Sequence, residues 1–229
     1  MQDLNFEIAF FHPFVGEKYH DGTGINGKKV LVVGDSFYCD GEGCDYYDNC
    51  TNTQERHSKD YDNSCPERIK HRNENGKIVS LHNEPDIAIR EYESYAYQNF
   101  KSFLKLFVQG DEDPWSYVAF TNYIQFFLPN HRTSGTYITN KDYEAFIEVV
   151  ETLEPDIVVT WGNAVADAIR NKYGWNKIEE ELKKNQYYIA HLETSKHNFT
   201  MVYLYHPSSR IWASDIYNSY KYFKKALKE

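Results

Sequence analysis

Three short stretches carry side chains able to act together: "GDSFY" at 34–38, "TNY" at 121–123 and "HPSSR" at 206–210. Pro207 follows His206 directly, and its ring restricts the backbone on both sides, so the imidazole is expected to be held in place for a charge that develops during a reaction. Asp35 supplies a carboxylate that can orient or activate water. Asn122 supplies an amide with both a donor and an acceptor. Ser208, Ser209 and Arg210 are residue types that touch phosphates. Each also has a plainer reading: Asp35 as a turn cap, Asn122 as a turn residue, His-Pro as a strand closure and the last three as solvated loop.

A second group is formed by the cysteines. Cys39, Cys44, Cys50 and Cys65 are the only four in the chain, and all fall in one 27-residue stretch. Four thiolates this close in a reducing compartment suggest zinc, which takes four such ligands tetrahedrally and orders a polar loop that cannot bury a core of its own. The gaps of four, five and fourteen residues are wider than the tight pairs of a zinc ribbon, and His57 and His71 are alternative ligands. Free thiols, or disulfides in an exported protein, are the competing readings.

The elements that must position these groups follow from periodicity. Val30 to Val33 form an apolar run ended by Gly34, the mark of a strand buried on both faces. From Cys39 to about Asn83 the chain is polar and aperiodic, an insertion too long to be a plain connection. Residues 86–108 carry an apolar stripe at helical spacing, 115–127 read as a strand running into a loop, and 140–155 as an amphipathic helix capped by Asn140. A buried strand at 156–162 leads into a helix at 163–174 closed by Gly174. A charged helix near 176–185, strands in "YYIAHLE" and "FTMVYLYHP" and a helix at 213–228 complete the chain. In the N-terminal "HPFVGEKY" (12–19), packing is the expected role.

Strands alternating with helices predict one domain over 1–229, a three-layer α/β/α sandwich with a mainly parallel central sheet. In such sheets chemistry collects where loops leave the carboxyl ends of strands. The loops after Val33 and Tyr205 are expected to open into a single cleft from neighbouring strands. The C-terminal lysines of "YKYFKKALKE" suit the negative end of a helix dipole and need no partner on that account.

With 41% hydrophobic and 26% charged residues, the chain lies in the globular range. The net charge of −9 argues against a broad nucleic-acid-coating surface but not against a local basic one. No stretch approaches the ~18 apolar residues of a membrane span, and the expected location is cytoplasmic.

In order and separation, "VLVVGDSFY", "AFTNY", "PDIVVTWGNAVADAI" and "YLYHPSS" resemble the motifs of the uracil-DNA glycosylase-like superfamily. The resemblance implies hydrolysis of the N-glycosidic bond of a deaminated or altered base in DNA. Asp35 would position or activate water, His206 would stabilise the departing base, and Asn122 would read the edge of a flipped pyrimidine. Gly34, Ser36, Phe37 and Tyr38 would shape the base pocket, Phe37 or Tyr38 giving a stacking face, while Ser208, Ser209 and Arg210 would meet flanking phosphates. No organic cofactor is implied, and an iron–sulfur cluster fits these cysteine spacings less well than zinc does.

The chain departs from the family at Ser36 and Phe37, where many active members have proline. "GDSFY" is closer to a divergent bacterial branch carrying Gly-Glu-Ser-His-Tyr, relative to which Asp35 is one methylene shorter and Phe37 replaces a titratable ring. The alternative function is a non-catalytic module that binds a nucleic acid, a nucleotide or a protein through the same cleft. Hydrolysis of a free nucleoside is a third reading.

Overall fold

The computed structural model describes residues 4, 6–20, 24–36, 95–125, 128, 138–173 and 188–229. The cysteine insertion, Phe37, Tyr38, His57, His71, the closing Gly174 and the helix expected near 176–185 lie outside these residues.

The run Val30–Gly34 is strand β2, buried along its whole length. Alternation along it sends Leu31 and Val33 to one face of the sheet and Val30 and Val32 to the other, and each pair belongs to a different apolar cluster. The remaining strands are β1 (Phe14–Val15), β3 (Val118–Asn122), β4 (Ile157–Trp161), β5 (Ile189–Glu193) and β6 (Asn198–Leu204). They form a mixed sheet in the order β1-β3-β2-β4-β6-β5. The inner four, β3, β2, β4 and β6, run parallel, and β1 and β5 close the edges antiparallel.

Among the described residues, four helices cover the sheet. On one face, α2 (Asn140–Leu153) buries Phe146, Val149, Val150 and Leu153, and α3 (Asn163–Tyr173) buries Val165 and Ile169, in the cluster that holds Leu31 and Val33. On the other, α1 (Tyr95–Leu104) and α4 (Arg210–Ala226) place Phe100, Phe103, Trp212 and Phe223 against Val30 and Val32. The architecture is α/β.

Local chemistry corrects several expected boundaries. Trp115 to Tyr117 are not strand: Pro114 opens a 3-10 turn over Pro114–Tyr117, and the Asp113 carboxylate caps it by accepting from Trp115 N–H at 3.2 Å, so β3 begins at Val118. Thr139, not Asn140, is the N-cap of α2, and its N–H donates to the Asp142 carboxylate at 2.7 Å. Within the expected helix 86–108, α1 ends at Leu104, and 86–94 fall outside the described residues. The last helix starts at Arg210 rather than 213, because Ser209 Oγ accepts Trp212 N–H at 3.1 Å. Phe14–Val15, in the N-terminal segment whose expected role is packing, joins the sheet edge opposite Phe120 and Ala119.

Candidate functional site

Parallel pairing of the inner strands brings their carboxyl ends to one edge. Gly34 is in register with Asn122 and Trp161 with Leu204, so the segments that follow leave the sheet side by side. Asp35, Asn122 and His206 therefore share this edge. Asp35 and His206 do not come from neighbouring strands, as expected from sequence, because β4 runs between β2 and β6. Two strand spacings of ~4.8 Å separate the two loops by roughly 10 Å, with the end of β4 between them.

Strand parity turns Asn122, like Phe120, to the α1/α4 face, where Trp161 is also buried. Asn122 Oδ1 would lie 2.5 Å from a Cβ built on Gly34, with the Phe120 ring 3.2 Å away. The position opposite Asn122 thus requires glycine. Asn122 is only 3% exposed, and its Nδ2 has no acceptor among the described residues. A buried amide N–H without an acceptor costs about 1–3 kcal/mol, and the cost is recovered when an acceptor is supplied.

The loops around it are pinned. Tyr123 N–H donates to Gly34 O and Ile124 N–H to Asp35 O, both at 3.0 Å, which extends the ladder past the strand ends and fixes the Asp35 backbone. Buried Gln125 donates from Nε2 to Asn122 O at 2.7 Å and accepts Phe11 N–H at Oε1 at 2.9 Å. Its own backbone N–H donates to Asp142 Oδ1 at 2.8 Å, tying the exit of β3 to the start of α2. Asp35 is half-buried and Ser36 buried.

His206 is held from three sides. Its ring meets the Trp161 ring edge-on at 5.6 Å and 80°. Asn99 of α1 donates from Nδ2 to Pro207 O at 2.7 Å. Ser208 N–H donates to His206 Nδ1 at 3.2 Å, with Ser208 Oγ 2.6 Å from the same nitrogen. A backbone N–H can only donate, so Nδ1 is an acceptor and the neutral ring carries its proton on Nε2. Burial pushes the His206 pKa below the usual histidine value, favouring that neutral form.

Between the two loops, Gly162 ends β4 with φ +90°, a conformation that favours glycine, and its open Cβ position faces His206 Cβ at 3.8 Å. Trp161 beneath it is 2% exposed and packs against Phe100 at 4.9 Å and Tyr97 at 5.8 Å, its Nε1 having no acceptor among the described residues. Burial raises the Tyr97 pKa well above the usual phenol value, so this wall of the site is neutral and aromatic.

Of the residues singled out in the sequence, Gly34, Asp35, Ser36, Asn122, His206 and Ser208 gather at one edge. Ser209 is engaged as the α4 cap, and Arg210 opens that helix with its side chain exposed. The sequence reading missed Gln125, Asn99, Trp161 and Tyr97. Only Trp161, directly before the strand-ending glycine, carried a local signal.

Among the described residues no group of three or more His, Cys, Asp or Glu side chains is arranged to hold a metal, and no helix is long and apolar enough to cross a membrane. In comparison with known proteins, no family model matches the chain and no curated protein matches it.

Proposed function

We propose that the protein is a uracil-DNA glycosylase-like hydrolase, cleaving the N-glycosidic bond of a deaminated or altered base in DNA. One observation carries the reading: a buried amide, a carboxylate and a neutral, rigid imidazole stand at one edge of the sheet, beside the aromatic ring of Trp161.

The chemistry assigns a task to each group. Bond cleavage builds positive charge on the sugar and negative charge on the departing base. Asp35 orients a water molecule and steadies the sugar cation, while His206 Nε2–H donates to the base oxygen as charge develops there. A neutral donor is the right form, because it is already in place and has a proton to share. Asn122 Nδ2 donates to a carbonyl of the flipped base, which gives the buried N–H its missing acceptor. For the four cysteines, we retain zinc as the expected ion. Elemental analysis of the purified protein, repeated on Cys44→Ser and Cys65→Ser, tests this independently of the site.

Excision is tested on oligonucleotides carrying uracil, hypoxanthine or xanthine, followed by alkaline strand cleavage. The expected result is release of one of these bases, with a loss of about 100-fold or more in Asp35→Asn and His206→Ala. Release of no base from any substrate, with DNA still bound, selects the non-catalytic binding module, which the net charge of −9 and the altered first motif favour. Activity on free nucleosides alone selects a nucleoside hydrolase.

A further inference from the structure

Helix α4 leaves the candidate site and crosses the α1/α4 face for about 25 Å. Arg210, Tyr217, Lys221 and Lys224 recur along it at intervals of seven, four and three, and Lys228 follows four residues later in the closing turn. That spacing places all five on one side of the helix. All are exposed, Tyr217 to 74%. Asp215, the acidic residue within the helix, points away from them, accepting from Tyr188 OH at 3.1 Å and Asn218 Nδ2 at 2.9 Å.

The far half of this side is a shallow groove of about 370 Å³. It is lined by Tyr217, Tyr220, Lys221, Lys224, Lys225 and Lys228; no acidic side chain is among the described lining residues, and the nearby Glu229 carboxylate lies 3.7 Å from Lys225 Nζ. Lys224 Nζ donates to Tyr220 OH at 3.3 Å and lies 5.3 Å from that ring's centroid, which keeps the tyrosine and the cation together.

The helix dipole accounts for only part of this pattern. Cations in the last turn are favoured by the dipole, which covers Lys224 and Lys225. Arg210 stands at the opposite, electropositive end, where a cation is disfavoured, and Lys221 lies before the last turn. An exposed aromatic ring between them does nothing for a helix in water. A one-sided cationic stripe on a protein of net charge −9, with tyrosine faces set among the cations, matches the two demands of an unpaired nucleic-acid strand: cations along the phosphates and rings for the bases.

We propose that the exposed side of α4, from Arg210 to Lys228, is a binding track for single-stranded nucleic acid, carrying the strand that flanks the candidate site. The proposal rests on the nucleic-acid reading of that site but requires no base excision. Its test therefore uses unmodified oligonucleotide.

Binding of a fluorescently labelled 15-mer oligothymidylate is measured by anisotropy over a range of salt. The proteins compared are the full chain, Lys221→Glu/Lys224→Glu/Lys228→Glu, the corresponding triple Gln variant and Tyr217→Ala. These side chains are exposed, and an unchanged thermal unfolding midpoint in the Gln variant keeps binding separate from folding. Expected results are a loss of at least tenfold in both triple variants, a log–log salt slope shallower by about two in the Gln variant, and weaker binding with an unchanged slope in Tyr217→Ala.

Four results would overturn the track: wild-type affinity in the triple variants, no binding by the wild type, duplex bound as tightly as single strand with Tyr217→Ala silent, or preference for phosphatidylserine vesicles over oligonucleotide. Binding without excision leaves the track standing and removes the glycosylase. Excision with unaltered binding in the triple variants does the reverse.

Discussion

Asn122 occupies the space that a side chain on Gly34 would need: a Cβ there would stand 2.5 Å from Asn122 Oδ1. The two residues are paired in register at the ends of adjacent parallel strands, so neither can shift without disturbing the ladder. Gly34→Ala is therefore expected to turn the Asn122 amide out of its place. The obstruction is a side-chain oxygen at the sheet's edge rather than the interior of the core, so the fold should survive with a cost of about 1–3 kcal/mol, in the usual range for overpacking. Ligand binding or excision at the site should fall at least tenfold. Urea unfolding and the activity assay on the same preparation check both halves; full activity in Gly34→Ala would remove Asn122 from the mechanism.

His206 predicts a pH dependence of stability whose sign can be worked out. Burial lowers its folded-state pKa below the value in the unfolded chain, so the unfolded state binds more protons in the interval between the two. Stability from this residue is present above the ordinary histidine pKa of about 6.5 and is lost as pH falls through that value toward the folded one. The expected outcome is a drop in the unfolding midpoint on the acid side of neutrality that is smaller in His206→Gln than in wild type. Histidine-selective NMR should show the proton on Nε2 at pH 7, since Ser208 N–H occupies Nδ1. A proton on Nδ1 would invalidate the assignment of the donor.

What the sequence made legible were features determined within a few residues. The run Val30–Val33 is a strand because nothing in it is polar, and the strand at 157–161 is delimited by Pro155 before it and Gly162 after it. Trp115–Tyr117 show the limit of propensity: aromatic residues favour a strand, yet Pro114 and the Asp113 cap commit them to a 3-10 turn. Gln125 and Asn99 were invisible for a different reason. Their partners Phe11 and Pro207 are 114 and 108 residues away, and nothing nearby marks either as an anchor. The shared edge of Asp35 and His206 was legible only as motif order, which does not reveal the intervening strand. Locating β4 between them took the pairing itself.

Asp142 is a fully buried carboxylate with a structural task. It accepts Thr139 N–H at 2.7 Å, Thr139 Oγ1 at 2.8 Å and Gln125 N–H at 2.8 Å, so one side chain both caps α2 and fixes the exit of β3. Asp142→Asn keeps the shape but turns one acceptor into an NH₂ facing a donor, and removes the charge from all three bonds. A loss of about 2–3 kcal/mol is expected, read as a lower urea midpoint with an unchanged slope. The exit of β3 carries Asn122, so ligand affinity at the site should fall further than the stability loss alone would lower it; a variant as stable as wild type would show that the buried carboxylate is not holding this corner.

Trp161 separates packing from hydrogen bonding at the floor of the site. Its ring touches Phe100, Tyr97 and His206, while its buried Nε1 lacks an acceptor among the described residues. Trp161→Phe removes the N–H together with part of the ring. Relief of the unsatisfied donor offsets lost packing, and stability should stay within about 1 kcal/mol of wild type. Trp161→Ala empties the centre of the aromatic cluster and should cost about 3–5 kcal/mol. Thermal unfolding of the pair gives the comparison. The ring also sets the position of His206, so the histidine NMR signals should be nearly unmoved in Trp161→Phe and displaced in Trp161→Ala. Equal destabilisation by the two substitutions would mean that the indole nitrogen has a partner in solution, and that the floor of the site is more polar than its packing suggests.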